Sequence, residues 1–90
     1  MSKRVNQWNR YREKLKKLYF EKGIIYCEIG LENCWRDNGL SFHHKHKRSW
    51  YYDNLKLLGK FEQTIQCCIE CHGKLERDKE KHDYYFKKLR

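Results

Sequence analysis

Ninety residues with 21 Lys+Arg against 12 Asp+Glu carry a formal net charge of +9, which confines the chain to one small basic domain. A chain this short buries only about 60% of the surface its unfolded form exposes, so disulfides or a metal are expected to supplement the core. No apolar run approaches the roughly 18 residues of a membrane span and no apolar signal-peptide core opens the chain, so no membrane partner and a cytoplasmic location are expected. Three Trp, seven Tyr and four Phe, with clear apolar periodicity, exclude disorder although 37% of the residues are charged.

Residues 1–23 read as a basic N-terminal helix. Val5, Trp8, Tyr11, Leu15, Leu18 and Tyr19 recur at helical spacing, and Gly23 is a C-terminal stop. Eight Lys/Arg and two Glu fall within residues 1–22, a net +6 of the total +9. That concentration points to a polyanionic partner, although a solvated helix face accounts for most charge runs. From Gly23 the pattern changes: Ile24, Ile25 and Tyr26 are β-formers leading into Cys27, and Gly30 and Asn38-Gly39 signal turns. Leu40 to His46 predicts a short strand with Leu40, Phe42, His44 and His46 on one face. Trp50 to Leu58 is a loop or helix start, with Leu55, Leu57 and Leu58 packing behind it. Residues 72–90 predict one C-terminal helix whose stripe is Leu75, His82, Phe86 and Leu89, with opposite charges paired at i,i+4 on the other face. The absence of proline fits uninterrupted helices.

Five cysteines, an odd number without an export signal, argue against a disulfide framework. Cys68 and Cys71 form a C-x-x-C, and Cys27 and Cys34 stand six residues apart. Two such pairs suit a closed tetrahedral zinc site, with the residues between Cys27 and Cys34 forming a wide loop. Cys67 is the spare; it is an alternative to Cys68, which the spacing to Cys71 fits better.

His43-His44 precedes the second cysteine pair and His72 follows Cys71 directly. The order Cys27, Cys34, Phe42-His43-His44, Cys68-Ile69-Glu70-Cys71-His72 resembles the HNH endonucleases of the ββα-metal class, and more narrowly the small zinc-stapled nucleases of phages and bacteria. The resemblance covers roughly Tyr26 to Leu75. It implies an α+β fold: a small ββα-metal (HNH) domain, residues 24–75, stapled by a four-cysteine zinc site and flanked by the N-terminal basic helix and the C-terminal helix. It also implies that His43 and His72 hold a catalytic divalent metal and that His44 is the general base. The family's central Asn is replaced by Gln63 at the corresponding place, with Asn54 as a possible stand-in. Location in a bacterial cell or phage-infected host, and a phage packaging or other DNA-processing partner, are further implications.

These residue types suit phosphodiester hydrolysis. A neutral imidazole takes a proton from water near pH 7, which fits His44. A divalent ion on His43 and His72 would polarise a phosphate oxygen. Two imidazoles without a carboxylate favour Mn2+, Ni2+, Co2+ or Zn2+ over Mg2+. Lys45, Lys47 and Arg48 beside the histidines are expected to contact DNA phosphates or merely to confer solubility. Arg10, Arg12, Lys14, Lys16 and Lys17 on the first helix are candidates for the same contacts. His46 is expected at the surface of a basic strand end. Trp50, Tyr51 and Tyr52 are expected to pack into the core in preference to stacking on unpaired bases. The leading reading is a metal-dependent endonuclease acting on double-stranded DNA, as a monomer or homodimer. Its alternatives are a weakly active or inactive zinc-stabilised nucleic-acid-binding module, and a zinc-stabilised protein-interaction module.

Overall fold

The computed structural model describes residues 3–90, with the side chains of residues 3–6 outside the described set; Val5, assigned above to the apolar stripe, is among these. Three helices and a two-stranded antiparallel sheet make up the fold. The first helix, α1, spans Lys3–Glu21. It ends as its sequence predicts, at Gly23 in the left-handed region, φ +78°. The Gly23 N–H donates to Phe20 O at 3.0 Å and the Ile24 N–H to Tyr19 O at 2.9 Å. This is the paired closure of a Schellman motif, and Ile24 packs against the cluster containing Tyr19, supplying its hydrophobic contact.

Strand β1 covers Leu40–His44 and pairs with β2, Thr64–Cys68, in a register that sets Leu40 against Cys68 and His44 against Thr64. Between them the chain makes three short 3-10 turns at Arg48–Tyr51, Leu55–Gly59 and Phe61–Gln63. The predicted strand is therefore two residues shorter than expected. The last ladder-like bond joins the Lys45 N–H to Gln63 O at 2.9 Å, after which the chain turns away and His46 leaves the strand face.

A two-stranded ribbon is not stable alone, and here each face is covered. Alternation sends Phe42 and His44 toward α1: Phe42 joins Leu15 and Tyr19 in one cluster, and Trp8 meets the His44 ring edge-on at 4.9 Å. The same alternation sends His43 the other way, against His72, His82 and Phe86. Ile65 and Cys67 on β2 join Cys27, Ile29, Leu75 and Phe86 in the second cluster. Both sheet faces being covered, all five β2 residues are buried. Thr64-Ile65-Gln66-Cys67 alternates polar and apolar residues, yet the polar ones are buried too, Thr64 bonded to the Tyr19 hydroxyl and Gln66 to the Ile24 and Tyr26 carbonyls.

Two further expectations are corrected. Ile24, Ile25 and Tyr26 form no strand. The free edge of β2 is occupied instead by side-chain groups: the Gln66 amide nitrogen donates to Ile24 O at 3.0 Å and Tyr26 O at 3.2 Å, and Glu28 Oε2 accepts the Gln66 N–H at 2.7 Å. Only the Glu28 N–H to Gln66 O bond, 2.9 Å, is of the backbone type a third strand would make. The C-terminal helix is likewise two helices, α2 over Ile69–Arg77 and α3 over Lys79–Leu89. Asp78 is extended at φ −136°, ψ 99°, and its carboxylate accepts from the Glu80 and Lys81 N–H groups. An aspartate that caps the next helix ends the previous one without any proline. Leu75 on α2 and Phe86 on α3 still meet in one core cluster, because the bend folds the predicted stripe back on itself.

Candidate metal centre

Two groups of metal-ligating side chains converge among the described residues. The first is Cys27, Cys34, Cys68 and Cys71, whose sulfurs all lie within 4.8 Å of one another. Cys34 and Cys68 Sγ stand 3.9 Å apart; sulfurs held at about 2.3 Å by one tetrahedral ion would stand about 3.8 Å apart. Cys68 closes β2 and serves as the N-cap of α2, its sulfur accepting the Cys71 N–H at 3.4 Å, while the Trp35 N–H donates to it at 3.3 Å. The Arg36 N–H donates to Cys34 Sγ at 3.3 Å. Asn33 and Arg36 both adopt positive φ, 64° and 60°, which is how the chain curls its N–H groups around the Cys34 sulfur. At Cys68, burial works against ionisation, yet the Cys71 and Trp35 N–H bonds outweigh it and bring the thiol down to about 7. A thiolate poised near neutrality with amide donors around it is the donor set of a structural metal such as zinc. Cys67 is on the sheet outside this group, fully buried, and burial raises its thiol.

The second group is His43, His72 and Glu76, whose donor atoms also lie within 4.8 Å of one another. Glu76 was not singled out from the sequence; the signal was its i+4 spacing from His72 on one helix face. Its Oε1 stands 3.1 Å from His72 Nε2. The other ring nitrogen, Nδ1, faces Ser41 Oγ at 3.2 Å, and Ser41 Oγ donates to Cys67 O at 3.4 Å. His72 therefore has a polar partner at each ring nitrogen, and its Nε2 with the Glu76 carboxylate makes a nitrogen–oxygen donor pair of the kind a divalent ion takes.

His82, from α3, is a second residue that spacing did not reveal. Its Nε2–H donates to Lys45 O at 2.9 Å, which leaves Nδ1 to accept the His43 Nε2–H at 2.6 Å. Burial first, then the neighbouring His72, His82 and His44 rings, lower the His43 pKa from its ordinary value to about 3. A ligand imidazole held neutral needs no proton removed before it binds a cation. His44 is lowered in the same direction, by burial above all, against the Leu58 carbonyl bond that raises it. Its Nε2–H donates to Leu58 O at 3.1 Å, so the base lone pair of His44 is on Nδ1.

All five histidines line one cleft of 1280 Å3. Lys45, Lys47 and Arg48 line it too, joined by Lys79, Lys87 and Arg90. The α1 residues expected to contact DNA, Arg10, Arg12, Lys14, Lys16 and Lys17, are exposed but do not line this cleft. Gln63 stands at its wall: its carbonyl accepts the Lys45 N–H and its Oε1 accepts the Tyr51 hydroxyl at 3.0 Å, while the Tyr51 oxygen accepts the His46 N–H at 3.2 Å. Asn54 is exposed and makes no side-chain cap bond to the turn it precedes, so Gln63 is the amide side chain that ties the loop beside the histidines. No helix among the described residues is long and apolar enough to cross a membrane. Comparison with protein-family models, curated proteins and solved structures finds no match in any of the three, so the functional reading rests on the chain's own geometry.

Proposed function

We propose that this protein is a metal-dependent DNA endonuclease of the HNH type, with a zinc ion on its four cysteines. The observation that carries the reading is the convergence of His43, His72 and Glu76 in a basic cleft that His44 also lines. Two imidazoles and a carboxylate make an open divalent site, with His72 Nε2 and Glu76 Oε1 as neighbouring donors 3.1 Å apart. Bound there, a divalent ion supplies Lewis-acid polarisation of a phosphate oxygen and charge compensation at the leaving oxygen. The carboxylate alters the metal preference expected from imidazoles alone: an oxygen donor favours Mn2+ and makes Mg2+ more acceptable than two histidines would.

The chain's own residues divide the remaining work. His44, with its Nε2–H held by Leu58 O, takes a proton from the attacking water at Nδ1. Its lowered pKa keeps it in the neutral form that a base needs. Lys45, Lys47 and Arg48 attract and seat the phosphodiester backbone. His82 sets the tautomer of His43, and Ser41 holds the His72 ring at its Nδ1.

Plasmid cleavage by the purified protein, supplied in turn with Mg2+, Mn2+, Ni2+ and Zn2+ beside the His44→Ala variant, tests the reading. Nicking or linearisation that depends on added metal and falls by 10²-fold or more without His44 is expected. Absence of cleavage with every metal, alongside retained salt-sensitive DNA binding, would replace it with the binding-module reading.

A further inference from the structure

Trp50 is 52% exposed, while its neighbour Tyr51 is fully buried. The expectation that this aromatic run packs into the core therefore holds for Tyr51 and not for Trp50 or for Tyr52, which is 43% exposed. The Trp50 indole is nonetheless positioned. It stacks on the His46 ring with centroids 4.0 Å apart and planes 23° apart, and it meets Tyr51 edge-on at 5.0 Å. His46 is in turn held by its N–H bond to the Tyr51 hydroxyl, itself anchored on Gln63. One indole face is thus backed by a ring, and much of the rest is open to solvent.

Its stacking partner His46 lines the cleft with Lys45, Lys47 and Arg48, all three exposed, while Trp50 stands beside that lining and the Arg48 guanidinium lies over the Trp8 ring. A flat apolar face at the edge of a cationic cleft matches a nucleobase carried on a phosphate backbone, since the base offers a π-face and the backbone offers charge. Bases inside an intact duplex have both faces stacked already, so only an unpaired base can use such a platform. Resting on the nucleic-acid reading above, we infer that Trp50, backed by His46, is a stacking site for an unpaired base. The substrate class is then DNA with a single-stranded or mispaired stretch beside the cleft, and intact duplex is the poorer ligand.

The test measures binding without added divalent metal, on three probes: a 20-nucleotide single strand, the blunt duplex of the same sequence, and that duplex with a three-nucleotide bulge. Fluorescence anisotropy gives the affinities, and quenching of tryptophan emission reports contact with the ring. Relative to wild type, Trp50→Ala is expected to weaken the single strand and the bulged duplex by about tenfold and the blunt duplex by less than about twofold. Trp50→Tyr keeps an aromatic plane and is expected to restore most of the loss, which separates stacking from misfolding. An equal effect of Trp50→Ala on all three probes, or no rescue by Trp50→Tyr, overturns the stacking site while leaving the nuclease reading standing. No binding of any probe by the wild-type protein overturns both.

Discussion

At the scale of single residues, hydrogen-bond direction decides more than residue identity. His43, His44 and His72 are three copies of one side chain, yet each has one ring nitrogen committed to a different neighbour: His82, Leu58 O and Ser41. The carbonyls of Leu58 and, through His82, of Lys45 assign the donor and acceptor ends of the His44 and His43 rings. His82→Phe keeps an aromatic ring against Phe86 but removes the bond to His43. It is expected to weaken Mn2+ binding by tenfold or more, measured by calorimetry, with zinc content unchanged. The buried His43 also makes stability depend on pH. Its folded pKa of about 3 lies below the ordinary 6.5, so the unfolded chain takes up a proton that the folded chain refuses. Stability is therefore complete above pH 6.5 and falls as the pH drops toward 3. Between pH 7 and pH 5 the loss through His43 is about 2 kcal/mol. Urea unfolding at both pH values should show the wild type losing about that much more than His43→Gln, and equal losses would contradict the account.

At the scale of elements, the joints matter most. α1 packs across the 3-10 turn at Leu55–Gly59, where Gly59 approaches so closely that a Cβ would stand 2.8 Å from Tyr11 Cδ1. Gly59→Ala is expected to cost about 1–3 kcal/mol in chemical denaturation, through displacement of α1. Gly30, with open space around its Cα, has no such neighbour. A second joint is electrostatic. Arg90 donates to both Glu28 oxygens at 2.9 and 2.8 Å, to Thr64 O at 2.9 Å and to the Tyr19 hydroxyl at 3.0 Å, with both charged side chains under 10% exposed. One guanidinium thereby ties α1, the loop after Cys27, β2 and the end of α3. Removing one partner of such a pair leaves the other buried and uncompensated, so Glu28→Ala is expected to cost about 3–5 kcal/mol. Replacement of both by matched apolar residues should cost far less, which a double-mutant cycle would show.

At the scale of the whole molecule, the four-cysteine cluster and the His43–His72–Glu76 group share α2, because Cys71 and His72 are adjacent on it. Whatever secures the cysteines therefore fixes the start of the helix that carries His72 and Glu76. Chelation of the ion proposed for the cysteines is expected to abolish the cooperative thermal transition, read by circular dichroism. Cys68→Ala should halve or abolish bound zinc, whereas Cys67→Ala should leave one zinc per chain and cost stability only through lost packing. Zinc lost in Cys67→Ala and retained in Cys68→Ala would move the ligand from Cys68 to Cys67.

Much of this was legible in the sequence where the deciding force is local. Helix α1 and its Gly23 stop follow from helical periodicity and from glycine's tolerance of positive φ. The C-x-x-C spacing placed Cys68 and Cys71 together, and strand alternation set His43 and His44 on opposite faces of β1. The sequence did not reveal what depends on contacts between distant segments. Ile24–Tyr26 has strand propensity but no ladder, because Glu28 and Gln66 side chains already satisfy the β2 edge. One predicted helix became two because the Asp78 carboxylate competes for backbone N–H groups, and a compact core needs the bend that brings Phe86 back beside Leu75. Glu76 and His82 entered the centre the same way: their chemistry was visible in the chain, but only the fold of α2 and α3 over one face of a two-stranded ribbon brought them to His43 and His72.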